Sequence, residues 1–240
     1  MALTPDRRLA LRFGARTLAL SWGLCGLALL GTATVSGSAA IPSWILIASA
    51  CAPSAAALTL LPAAEIRERL APRFDPAGLL CLAAALAFGA GAALLTGTHA
   101  PDLHGLWPLA LLAPFGEELG WRGLLLPSLL RHNPPWLAGL LTGAAWIAWH
   151  LPAFAVPGAM AEASLLWWCV GTAALSVVMA RLFVRGGGSA VSAGLVPHAA
   201  VNWLGLAGFW SYTAPQALGL AAAALALGLR GTGRTGERNG

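Results

Sequence analysis

Lysine is absent from this 240-residue chain, and charge of either sign is scarce: fourteen arginines and nine acidic residues make up the 10% of positions that are charged. With 58% of residues hydrophobic, that is too little charge to clothe a soluble domain, and the water-soluble classes are excluded. Cysteine is sparse and never paired. Cys25, Cys51, Cys81 and Cys169 stand singly in apolar stretches with no C-x-x-C spacing, which argues against a disulfide framework or a cysteine-based metal site and leaves small core hydrophobes. The net charge of +5 does not signal a nucleic-acid partner, because the arginines are scattered among short loops instead of gathered into a patch. An internal repeat and a soluble appendage are also missing.

What the chain does have is a succession of apolar runs, each about as long as the ~20 residues needed to cross ~30 Å of hydrocarbon. They predict an all-α, polytopic transmembrane bundle of about eight helices, a single integral membrane domain over 1–240 with the lipid bilayer as its surroundings. The spans fall near 17–35, 41–61, 77–95, 106–130, 136–154, 163–184 and 189–209, with a last one ending near 229. Arg7, Arg8, Arg12 and Arg16 precede the first run, which exceeds the 7–15 apolar residues of a secretory signal and is expected to stay as an uncleaved helix. With the N-terminus in the cytoplasm, the inside segments are the N-terminal arm, 62–76, 131–135, 185–188 and the tail. With Arg181 at an adjoining helix end, they hold every arginine except Arg122, and the outside loops hold none. This asymmetry is what the positive-inside rule demands, so the expected location is the cytoplasmic membrane with both termini cytoplasmic. Trp107, Trp136 and Trp210 fall near span ends, where an interfacial belt would place them.

Arg122 is the exception that matters. It lies with Glu117 and Glu118 inside an apolar span, where each charge costs about 2.5–3.5 kcal/mol on insertion scales. On a helix Glu118 and Arg122 are i,i+4 neighbours and can pair, while Glu117 points about 100° away and need not join them. Trp146 and His150 share a face of the fifth span, and His198 and Asn202 share a face of the seventh. At 1.5 Å per residue Glu117, His150, His198 and Asn202 lie ~14–21 Å from the cytoplasmic ends of their helices, so groups from three helices can meet in one pocket. Singly, a histidine or asparagine could be interhelical hydrogen-bond glue worth roughly 0.6–2 kcal/mol. Two carboxylates, an arginine, two histidines and an asparagine at comparable depth favour a functional site.

Gly116-x-x-x-Gly120 and Gly139-x-x-x-Gly143 predict close helix packing. Trp121, Trp146 and Trp149 read as packing or pocket wall, and His99, Asp102 and His104 as a solvated outer loop. Arg131 and His132 read as interfacial anchors, and Glu162 as the outer end of the sixth span.

Glu117-Glu118-x-x-x-Arg122, Trp146-x-x-x-His150 and His198-x-x-x-Asn202, in this order on successive membrane helices, resemble the CPBP family of intramembrane proteases, which includes the CAAX prenyl endoproteases. The resemblance covers about 106–209 and departs from the family at Trp146, where phenylalanine is usual. It implies an all-helical endopeptidase acting on a membrane-associated peptide or protein substrate. By motif, Glu117 assisted by His150 would activate water, His198 and Asn202 would stabilise the oxyanion, and Glu118 with Arg122 would orient the site. Zinc held by Glu117, His150 and His198, with a fourth position for water, and a metal-free glutamate mechanism are both compatible with these side chains; the metal-free version is the preferred expectation. A proton-coupled transporter or a silent immunity or scaffold protein would be the alternatives. Neither inverted repeats nor paired broken helices are visible to favour a transporter.

Overall fold

The computed structural model describes residues 4–36, 41, 43–97, 107–154 and 164–229, and all regular structure among them is helical. The elements are α1 (Pro5–Ser36), α2 (Ser43–Ala50), α3 (Ala52–Leu58), α4 (Ala63–Leu70), α5 (Pro76–Thr96) and α6 (Trp107–Gly120). A widened turn, Trp121–Leu125, joins α6 to α7 (Leu126–Leu130), and α8 (Pro135–Phe154) and α9 (Leu165–Arg185) follow. A second widened turn, Val191–Leu195, leads into α10 (Val196–Leu206), and α11 (Ala214–Leu229) completes the bundle.

Local chemistry sets most of these boundaries. Proline opens α5 and α8, where its fixed φ suits a first turn and its missing N–H is no loss. α5 ends on Gly97 at φ 67°, a left-handed position that glycine takes without a Cβ penalty. Both widened turns are π-helical: the Leu126 N–H reaches back to the Trp121 carbonyl and the Val196 N–H to the Val191 carbonyl. Pro127 and Pro197 stand at the same position after each turn. A proline has no N–H for the carbonyl four residues back and its ring crowds it, and a turn one residue wider relieves both problems.

Among the described residues, Pro5–Gly31, Pro76–Thr96, Pro135–Phe154 and Leu165–Arg185 are four helices both long and apolar enough to cross a membrane, with Trp44–Leu58 and Ala214–Gly228 as shorter apolar helices. Four of the about eight crossings expected from the sequence are thus present as long apolar helices, and the count of eight is not confirmed. The second expected span is broken at Cys51 between α2 and α3, and the fourth and seventh are each interrupted by a π turn. The polar connection 62–76 is not a plain loop, since it carries the amphipathic α4.

α9 is the central helix, with 61% of its membrane-length window buried against 22–33% for the other candidate spans. It packs between α8 and α11. Both small-residue patterns act as expected. A Cβ on Gly116 would come within 2.6 Å of the Ala50 carbonyl oxygen, and one on Gly120 within 2.6 Å of Pro53 backbone atoms, so α6 lies directly on α2 and α3. A Cβ on Gly139 would meet the Val177 Cα at 2.8 Å, which brings α8 equally close to α9.

The arginine-bearing segments join two by two. Arg131 and His132 both reach Asp6 at the start of α1. Arg185 binds Asp75 at 2.6 Å, and Arg73 donates to the Gly187 carbonyl at 2.6 Å. His99, Asp102, His104 and Glu162 lie outside the described residues.

Candidate functional site

The site is built from α6, α8 and α10, with the two π turns behind it. Glu117 and Glu118 are each 2% exposed and Arg122 is fully buried, the bulkiest side chain so enclosed among the described residues. The pairing expected from i,i+4 spacing is present: Arg122 Nη1 donates to Glu118 Oε1 at 2.8 Å. Arg122 extends further, its guanidinium carbon 4.4 Å from the Trp146 ring centroid and its Nη2 3.5 Å from Ser176 Oγ on α9. A guanidinium withdrawn from water needs this many partners to remain charged there.

The same Glu118 oxygen holds His198. His198 Nδ1 lies 2.9 Å from Glu118 Oε1, across 80 residues of chain. An ionised carboxylate only accepts, so Nδ1 carries the proton and Nε2 faces away from the glutamate. Glu118 Oε2 is buried with no hydrogen-bond partner and fills the space over Gly194 in the second π turn, where a Cβ would stand 2.3 Å from it. Glycine is what lets the carboxylate reach between Arg122 and His198.

Glu117 faces another way, as the 100° offset requires. Its Oε2 accepts a hydrogen bond of 2.7 Å from Trp146 Nε1. This corrects the reading of Trp146 as packing or wall: the indole is a polar member of the site. The Trp146 carbonyl accepts from His150 Nδ1 at 2.9 Å, which fixes that imidazole with its other nitrogen, Nε2, as the acceptor when neutral. Both histidine rings pack on the Trp146 ring, with centroids 5.8 Å away for His150 and 5.0 Å for His198. Trp149 and Trp168 complete the aromatic enclosure of His150 at 4.5 and 5.2 Å. Asn202 stands one turn beyond His198 on α10 and is half-buried.

Five of the six residues singled out in the sequence, Glu117, Glu118, Arg122, His150 and His198, are therefore drawn together around one tryptophan, with Asn202 on the next turn of α10. Zinc would require Glu117, His150 and His198 to converge on one point. Among the described residues no three His, Cys, Asp or Glu side chains are gathered in that way. Glu117 Oε2, His150 Nδ1 and His198 Nδ1 are each engaged by a protein partner, which leaves Glu117 Oε1 and the two Nε2 atoms to face a ligand. As placed, the three side chains are not gathered into a zinc site. Two carboxylates, one guanidinium and two imidazoles in a largely buried cluster are suited to moving protons and stabilising a transient negative charge.

Sequence reasoning missed the indole donor and the two π turns. The shared placement of Pro127 and Pro197 was the available signal for the turns.

Among known families, residues 99–204, a little under half of the chain, match the one described as Type II CAAX prenyl endopeptidase Rce1-like. The match contains all three motifs. No curated protein matches the chain.

Proposed function

We propose that this chain, whose residues 99–204 match the Rce1-like type II CAAX prenyl endopeptidase family, is a member of that family and uses Glu117 to activate water for hydrolysis of peptide bonds in membrane-associated peptides or proteins. The family match supports a CAAX-protease type of intramembrane endopeptidase, and the residue roles below extend it. The observation that carries the assignment is the division of labour between adjacent carboxylates. Glu118 Oε1 is taken by both Arg122 and His198, while Glu117 makes no ion pair with Arg122 and keeps one oxygen clear of its bond to Trp146.

In this mechanism Glu117 takes a proton from water as the water oxygen bonds to the scissile carbonyl carbon. His150 assists through Nε2, since Nδ1 is committed to the Trp146 carbonyl. The electron pair moves onto the carbonyl oxygen, where His198 and Asn202 donate to it. For His198 to donate from Nε2 as well as Nδ1 it carries both protons, and the carboxylate of Glu118 balances that charge at 2.9 Å. The C–N bond then breaks and the proton held by Glu117 passes to the leaving nitrogen. Glu118 and Arg122 move no proton here; they fix His198. The reaction is metal-free.

The test uses the full-length chain in nanodiscs and a quenched-fluorescent farnesylated peptide ending in Cys-aliphatic-aliphatic-X, beside the same peptide without the farnesyl group. Cleavage of either supports the proposal; intact peptides with proton or solute flux in liposomes would replace it with transport. Asn202→Ala should retain measurable turnover, because removing one oxyanion donor typically lowers kcat by about 10²–10³. An unchanged kcat would remove Asn202 from the mechanism.

The protein is further proposed to be one integral domain of the cell membrane with both termini cytoplasmic, on the strength of its arginine distribution. Reporter fusions at the tail should read cytoplasmic and fusions within 98–104 external. A tail that reads external would overturn that topology.

A further inference from the structure

Trp146 has several engagements in the site, and only one of them depends on its being tryptophan. Its ring face carries the Arg122 guanidinium at 4.4 Å and the His198 ring at 5.0 Å, contacts that another aromatic ring could make in kind. Its backbone carbonyl holds His150 Nδ1 at 2.9 Å, which any residue could supply. The indole N–H is different: it donates to Glu117 Oε2 at 2.7 Å, and tryptophan has no other polar side-chain atom. At 3% exposure the donor depends on that carboxylate as its protein partner. Nearby indoles show the contrast. Among the described residues the Nε1 atoms of Trp121 and Trp149 are buried with no partner, so tryptophan is tolerated here as bulk, yet this one N–H is spent on a carboxylate.

We infer that Trp146 is a positioning residue for Glu117: its indole N–H pins Oε2 and leaves Oε1 presented to the water and the scissile carbonyl. The inference rests on the peptidase reading of the site. A buried glutamate beside a fully buried arginine has a competing partner, since Arg122 could pair with Glu117 as readily as with Glu118 by charge alone. The bond from Trp146 holds Glu117 off that pairing. It thereby preserves both the free base and the Arg122–Glu118–His198 chain. Loss of the donor releases Glu117 to rotate, and the misplaced base lowers kcat while the substrate-facing surface, and hence KM, stays as it was.

Two variants test this. Trp146→Phe keeps an aromatic ring but shrinks it. Replacement of Trp146 by 3-benzothienylalanine, in which sulfur stands where the indole N–H was, keeps the bulk and removes only the donor. With the farnesylated peptide as substrate, the benzothienyl variant is expected to lose about 10- to 100-fold in kcat, the range for a hydrogen bond to a charged group, with KM within about twofold and the thermal midpoint unchanged. A merely structural tryptophan would give the benzothienyl variant wild-type kcat, and that result overturns the inference while leaving the peptidase reading intact. If the wild type itself cleaves nothing, the peptidase reading fails and the positioning role falls with it. The ¹⁵N-indole resonance of Trp146, assigned by its loss in Trp146→Phe, then separates the cases. A shift on Glu117→Ala shows that the bond exists without that function, and no shift shows that the contact was wrong too.

Discussion

Glu117→Gln should reduce hydrolysis to the edge of detection while the protein stays folded. The amide has the shape of the carboxylate and its oxygen can still accept from Trp146 Nε1, so the 2.7 Å bond that seats residue 117 survives. What it loses is the ability to take a proton from water, and a general base contributes about 10²–10⁴ in rate. Thermal stability in detergent should match the wild type, because no buried charge is stranded: Arg122 keeps Glu118. Peptide cleavage and melting on matched preparations check both halves. A variant that cleaves at the wild-type rate would exclude Glu117 as the base.

Arg122→Ala should behave in the opposite sense and damage the fold as well as the reaction. Arg122 is fully buried, and its removal leaves Glu118 at 2% exposure with only His198 to compensate its charge. Breaking a buried pair from one side typically costs about 3–5 kcal/mol, because the remaining charge is uncompensated. A cavity also opens beneath the Trp146 ring that the guanidinium covers at 4.4 Å. A lowered melting temperature and expression yield should accompany the loss of cleavage. Truncating Glu118 as well, in Arg122→Ala/Glu118→Ala, should recover part of the stability and none of the activity. If Arg122→Ala melts with the wild type, the buried ion pair is not the anchor described here.

Much of the site was legible because it follows helical geometry. Glu118 and Arg122 pair because they are four residues apart, and Glu117 stays out because it is one residue round. The glycine patterns at 116/120 and 139/143 placed helices in contact because a missing Cβ permits close approach wherever it occurs in an apolar helix. Contacts between helices were less legible. His198 reaches Glu118 across 80 residues, and spacing within one helix says nothing about which atom of another it will meet. Trp146 was read as bulk because an indole in an apolar run is mostly bulk; its single donor matters only once Glu117 is seen beside it.

The π turns were invisible to a 3.6-residue pattern, which tolerates one extra residue in a short apolar stretch. They shift the register between Glu118 and Leu126, and between Ser189 and Val196, and so help to set where Arg122 and His198 point. The helical, membrane-crossing character of the chain was legible in its apolar runs, while the lengths of the individual helices were not. Hydropathy marks apolar runs, but a run broken at Cys51 or widened before Pro127 and Pro197 does not make one long straight helix.

The most direct test of the central claim follows solvent oxygen into product. The purified chain in nanodiscs is incubated with the farnesylated Cys-aliphatic-aliphatic-X peptide in H₂¹⁸O, and the products are weighed by mass spectrometry. Hydrolysis with Glu117 as base predicts one ¹⁸O atom in each new carboxylate for the wild type, and no such product from Glu117→Gln beyond the background of empty nanodiscs. Intact peptide from the wild type, or equal labelling with Glu117→Gln, would contradict it.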